Sequence, residues 1–388
     1  MLNGRKHLQN HTGMVLMSAL TILLVLVVIG IGAGVMLRND LTVLGNLRRS
    51  TESFYFSVAG LEWGKNELKQ IASFPPILQN GTQQFSFGAF AVAFEPPDVL
   101  TPLTAQMVLR ATGKSYGAEQ IIEAQLTKSY ELADAALVVR GNAAAANFSA
   151  ADILISGLDH DPATGKPKVP TKSRNAVSTA DGRLQQLLAD AIGSRSGVLE
   201  SAAGLTAMAT SSYLPVDFVA QLAQDLCGSA SAVVHALPVS TIQVVENQLW
   251  GSRVAPQSHC FNGAPGSGDG LELGANVNGA GILVVQNADL LISGSFRWEG
   301  LIIVTGSDVS LKTAGADAKD ILGAVIANET GIPGSERKLL DIQGSLRVFF
   351  TRQTLSAVVK LLPDATLKMA HDYLPSSVSQ DYWRVVSQ

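Results

Sequence analysis

Cys227 and Cys260 are the two cysteines of the chain, and His235 and His259 fall in the same stretch. A thiol beside an imidazole is the minimum apparatus of a Cys–His nucleophile. Two cysteines in an exported chain can equally be one disulfide. That bond would close a loop of about 33 residues and contribute roughly 3–4 kcal/mol through loop-closure entropy. The even, sparse count favours the disulfide, with two unpaired buried thiols as the alternative. Two cysteines so far apart, with no CxxC, do not make a zinc site. Asp159, Asp161 and Gly165 are spaced somewhat like the start of a calcium loop. The third acidic ligand and the bidentate glutamate of an EF-hand are missing, so a plain Asx-rich turn is the simpler account. Asp289, Asp308, Asp317 and Asp320, mixed with Lys312 and Lys319, are the set from which a polysaccharide-active site could be built. The sequence has no GxxxxGK[ST] and no HExxH. These observations give a reading with no enzyme activity, no cofactor and no metal.

The elements that must position such residues begin with an apolar helix. Met14 to Leu37 carry no charge, and as a helix at 1.5 Å per residue they span roughly 36 Å, enough for a ~30 Å hydrocarbon core. Arg5 and Lys6 precede the run, so the positive-inside bias places the first dozen residues in the cytoplasm. A cleaved signal peptide has a much shorter apolar core. No proline occurs from Asn39 to Ile71, charges appear, and Leu41, Leu44, Phe54, Val58, Leu61 and Leu68 recur at nearly helical spacing until Pro75-Pro76. The spacing therefore predicts one long helix, apolar first and amphipathic after. Gly30 and Gly34 form a GxxxG pair that could pack helices in a bilayer. Over the whole 388 residues, charged side chains are only 15%, net charge is −4 and mean hydropathy is +0.23. That balance argues against a nucleic-acid-binding surface.

Several motifs resemble those of PilX-type minor pilins. A short basic leader ends in Gly13, directly before the apolar helix. Glycines lie near the helix end at Gly30, Gly32 and Gly34. The amphipathic extension closes with Ser57-Val58-Ala59-Gly60-Leu61-Glu62, similar to the Ala-Glu-Ala-Gly-Leu stretch of that family. The runs Gly281–Val285 and Gly300–Val304, then Ile342–Ser345 and Tyr382–Val386, resemble the C-terminal part of long members. The matches cover the first 70 and last 120 residues or so. The resemblance implies cleavage by a prepilin peptidase after Gly13, leaving Met14 as the N-terminus. It also implies partners among major and minor pilins, anchorage in a bacterial inner membrane with most of the chain periplasmic, and a place at a pilus tip. Major pilins carry a glutamate at the fifth mature position, where this chain has Ser18, so an initiating, tip or assembly role fits better than the filament shaft. A membrane-tethered adhesin outside any filament is the alternative, and a polysaccharide-active enzyme a further one.

The remainder reads as β-structure. FSFGAFAVAFEP, TAQMVLRATGKS and AEQIIEAQLTKS alternate with period two and are separated by Pro96-Pro97 and by Gly113 to Gly117. They suit an antiparallel meander covered by the second half of the helix, the pilin-like arrangement. From Ala136 the chain turns to short apolar runs punctuated by Gly, Asn and Asp. These suit a β-solenoid with Ile282, Val284, Leu290, Ile292, Leu301 and Ile303 stacked inward, or an irregular β-sandwich. Helical stretches near Arg183–Ile192 and Asp217–Leu226 lie in an insertion at about 159–260. The expected fold is α+β: a leader (1–13), the helix (14–75), the meander (76–135) and a solenoid-like domain (136–388). Trp383 and Arg384 are expected to cap the end of the solenoid core, with Trp383 packed and Arg384 stacked on an aromatic ring or paired with a carboxylate.

Overall fold

The computed structural model describes residues 8–70, 79–95, 99–101, 103–168, 173–195, 197–265, 269–331 and 337–386. The leader to residue 7, Pro75-Pro76 and Pro96-Pro97 lie outside them. The chain is α+β: a long helix, α1 (Leu8–Gln70), is followed by a large, mostly β body. Among the described residues, four shorter α-helices are α2 (Gly182–Ile192), α3 (Val216–Gly228), α4 (Arg352–Val358) and α5 (Asp364–Tyr373).

The second half of α1 lies on an antiparallel sheet. Its strands include Gly81–Phe85, Gly88–Phe94, Thr104–Ser115 and Ala118–Tyr130 in consecutive pairing, with Val99–Thr101 beside the third of these. The alternation has its expected consequence here. Ala105, Met107, Leu109 and Ala111 of one strand and Ile122, Ala124 and Leu126 of the next are buried under the helix, against Leu61 and Leu68.

The sheet is completed by the C-terminus. Ser376–Val386 pairs antiparallel with Ala118–Tyr130, placing Trp383 opposite Ala124 and Arg384 opposite Glu123. Arg384 is paired with a carboxylate, that of Glu123, as expected, but the expected place of Trp383 and Arg384 is corrected. They do not cover the end of the second β body; they form the outer strand of the first sheet. Everything between Tyr130 and Ser376 is therefore inserted into the helix-on-sheet unit, rather than following it as a separate C-terminal domain.

That inserted body is a stack of parallel strands. One ladder runs through Ile242–Val245, Gly270–Leu273, Asp289–Ile292, Leu311–Thr313, Lys338–Ile342 and Ala145–Phe148. The larger sheet contains Val277–Gln286, Phe296–Gly306 and Lys319–Glu329 in continuous parallel register. These long strands bend where Gly281, Gly300 and Gly323 align, with φ of 142°, 142° and 154°. Only glycine holds that conformation readily, and a Cβ at Gly300 or Gly323 would collide with the backbone of the glycine one turn below. The aligned glycines thus make a corner of the stack.

The order of turns is not the order of the chain. Ala135–Gly141 and Ile153–Ser156 pair with Lys319–Glu329 and Leu346–Phe350, so the first-made turn stacks on the last-made one. Asn175–Thr179 and Met208–Thr210 extend the stack beyond that seam. Helix α3 then runs back along the strands to the far end, where Ala232–Ala236 begins the remaining turns. Strands at 232–236 and 257–262 are thus already part of the stack, inside the stretch that the sequence suggested as an insertion. Ile282, Val284, Leu301 and Ile303 are buried, but so are Leu283, Val285, Ile302 and Val304. Helices α3 and α4 pack on this sheet, which is why both parities are apolar. The two bodies are clasped by buried Glu131, whose Oε1 lies 2.8 Å from Arg174 and 2.6 Å from Arg352.

Candidate functional site

The candidate site is α1 and the face it leaves bare. It is the one helix among the described residues that is long and apolar enough to cross a membrane, and its apolar window has no buried residue. The polar side chains inside the run are satisfied internally. Ser18 Oγ donates to Met14 O at 2.8 Å and Thr21 Oγ1 to Met17 O at 2.8 Å. Such back-bonds let hydroxyls sit in an apolar helix without an outside partner. Nothing lies within 4 Å of a Cβ built at Gly30 or Gly34, so both glycines stand open for another helix.

Past the charge-free run, Leu41, Val43, Leu44 and Leu47 remain exposed, and burial starts on one side only. Ser53, Ser57, Gly60, Leu61, Gly64 and Leu68 fall at helical spacing on the covered side. A Cβ at Gly64 would collide with Leu109, and one at Gly113 of the sheet would collide with the Ser53 carbonyl oxygen. The small residues are what bring helix and strand together. Gly60, within the Ser57–Glu62 motif, faces Phe90 and Ala111 in the same contact.

Electrostatics fixes the ends of this contact. Lys128 is buried, and its Nζ donates to Leu68 O at 2.7 Å, tying the last turn of α1 to the sheet. Burial pushes its ammonium down to about 8. At the other end Glu52 accepts from Ser115 Oγ at 2.7 Å and from Arg48 Nε at 2.8 Å; the Arg48 bond holds its carboxyl below the usual range. On the opposite face of the sheet Glu123 lies between Arg384 (2.6 Å) and Arg110 (3.0 Å), and the Arg384 bond depresses its carboxyl. Trp383 is half-exposed, with its ring 6.4 Å from that of Phe54 on α1. The C-terminal strand therefore touches the helix as well as the sheet, a contact that sequence reasoning missed. Its period-two alternation shows a strand, but nothing local points to a partner some 250 residues away.

The residues singled out for chemistry are held apart or engaged. Cys227, at the end of α3, and Cys260 are joined by a disulfide, with Cα atoms 5.5 Å apart. His235 stacks on Phe261 (centroids 4.5 Å) and Trp250 on His259 (4.8 Å), an aromatic cluster within the stack. Burial drives the His259 imidazole down to about 4, which keeps it neutral. Asp159 Oδ1 accepts from Arg352 N, and Asp161 Oδ1 from Ala163 N, so both carboxylates bond backbone amides. Asp289 pairs with Lys312 and Arg337, Asp308 with Arg337, and Asp320 with Arg347. Lys319 turns inward, donating to the carbonyl oxygens of Gly315 and Asp317. Among the described residues no three His, Cys, Asp or Glu side chains converge as a metal site would require.

No family model matches the sequence, and no curated protein matches it. Among solved structures, it is similar to the competence-associated pilin ComZ from Thermus thermophilus, at 11% identity and a TM-score of 0.29. The match covers 87% of this chain and 97% of ComZ. A TM-score that low does not equate the two folds.

Proposed function

We propose that the chain is a membrane-anchored structural subunit of the type IV pilin kind, acting as a PilX-type minor pilin in pilus assembly, initiation or tip display. The observation that supports this best is α1 itself. It is one unbroken helix, bare and apolar in its first half, and seated on an antiparallel sheet in its second half through small residues. Such a helix can reside in lipid and later pack against equivalent helices in a filament without a change of fold. The leader ending at Gly13 and the Ser57–Glu62 motif support the same reading. Ser18 in place of the glutamate of major pilins favours an initiating or tip position. The inserted parallel stack, which we read as a β-solenoid, is the part displayed beyond the filament. We read its role as structural rather than catalytic: Asp289, Asp308 and Asp320 are engaged in ion pairs with Lys312, Arg337 and Arg347.

Membrane extracts from cells expressing the full chain, chemically cross-linked before solubilisation, test this. The expected result is co-purification with major or minor pilins, lost when α1 is replaced by an unrelated membrane span. Cross-linking to no pilin, together with normal filaments in cells lacking the chain, would overturn the proposal.

A further inference from the structure

The strand that completes the first sheet is held differently from the strands it joins. None of the residues of Ser376–Val386 is buried, whereas every second side chain of Thr104–Ser115 is. The apolar core under α1 is built from α1, Gly88–Phe94, Thr104–Ser115 and Ala118–Tyr130, and of the last strand only Val378 reaches its margin. Trp383 leans on Phe54 yet stays 49% exposed. Just ahead of the strand, Leu374 is buried in the core of the parallel stack. Both cores are therefore complete without residues 376–386.

What holds the strand is polar and open to water. Its ladder to Ala118–Tyr130 shifts register between Gln380 and Tyr382, which leaves Asp381 outside the pairing. Such a bulge interrupts the ladder. Asp381 Oδ2 instead accepts from Thr127 Oγ1 at 2.6 Å and from Gln106 Nε2 at 3.1 Å, both exposed bonds. Arg384 reaches Glu123 with 65% of its side chain in solvent, a setting in which an ion pair contributes little. Release would orphan no buried charge, because Glu123 keeps Arg110 at 3.0 Å. The backbone groups uncovered on Ala118–Tyr130 would lie at the sheet margin and meet water. Elements with few buried apolar contacts open well below the free energy of global unfolding. We propose that Ser376–Val386 is a releasable strap, which opens as a unit while both bodies stay folded. Closed, it makes Ser376, beside Tyr130, the second attachment of the parallel stack to the helix-on-sheet unit. Open, it leaves that joint to the chain at Tyr130 and to Glu131 with Arg174 and Arg352. The strap thus sets how firmly the stack is aligned with α1. This inference does not rest on the pilin reading.

Hydrogen exchange of the full chain in detergent micelles, read residue by residue, tests the proposal. The amides of 376–386 bonded to Ala118–Tyr130 are expected to exchange together, about 100-fold or more faster than those of Thr104–Ser115, at a rate that sub-denaturing urea leaves unchanged. The amides of Ala118–Tyr130 that face the strap should share its rate, and those that face Thr104–Ser115 should not. Arg384→Ala should speed the strap roughly threefold and leave Thr104–Ser115 as it was. Strap amides that exchange only at the rate of Thr104–Ser115, or fast exchange confined to 382–386 as in simple fraying of an end, would overturn the proposal.

Discussion

At Gly113 the sheet meets the backbone of α1, and no flexible side chain stands between them to yield. Gly113→Val must push the helix away from the strand, and overpacking of this kind costs about 1–3 kcal/mol. A lower melting temperature is expected, whereas Gly117→Val, with open space around its Cβ, carries only the strain of its positive φ. A melt for Gly113→Val equal to the parent's would show that the helix does not sit this close. His259 gives a second test at this scale. Its imidazole titrates near 4 in the folded chain and near 6.5 when unfolded, so the unfolded state binds the extra proton first as pH falls. Stability is complete above about 6.5 and declines toward pH 4, by on the order of 1–3 kcal/mol. His235, lowered by burial in the same cluster, acts in the same direction. Urea midpoints at pH 7, 5.5 and 4 should fall in the parent and fall less in His259→Gln. Gly113 and His259 were both visible as residue types in the sequence, but their roles were not. A glycine at a helix contact and a histidine under an indole are defined by neighbours remote along the chain.

The elements were more legible. A charge-free run followed by proline-free helical spacing has few physical alternatives, and α1 follows it. TAQMVLRATGKS forms the strand Thr104–Ser115, and the two predicted helical stretches are α2 and α3. The order of turns in the stack was not legible, because parallel pairing between remote segments leaves no local signature; Leu137 pairing with Val325 could not be inferred from either residue. The tail misled for a related reason. Its apolar weight is real, but Trp383 and Arg384 serve the sheet edge beside Glu123 and Phe54. The Cys227–Cys260 disulfide ties the end of α3 to a strand near the terminal turn. Its loss in Cys227→Ser/Cys260→Ser should cost about 2–4 kcal/mol. Thiol labelling of the denatured, unreduced chain is expected to find no free thiol, and two labelled cysteines would contradict the pairing.

Across the whole molecule, a helix-on-sheet unit is split by a large parallel stack and closed again by the last strand. The stack hangs between Tyr130 and Ser376, two positions paired with each other in the first sheet. The body is joined at two adjacent points and clasped by Glu131 with Arg174 and Arg352, so more than a single linker ties it to the helix-on-sheet unit. Such a molecule can place a bulky domain at a defined position beyond a filament, provided that the helix enters the filament as pilin helices do. The central claim therefore rests on how α1 begins. Intact-mass and N-terminal analysis of protein extracted from membranes tests it most directly. A mature chain starting at Met14 is expected, with Gly13→Leu accumulating as an unprocessed, membrane-retained precursor. A chain starting near Val35, cut after the apolar run and released from the membrane, would contradict the account.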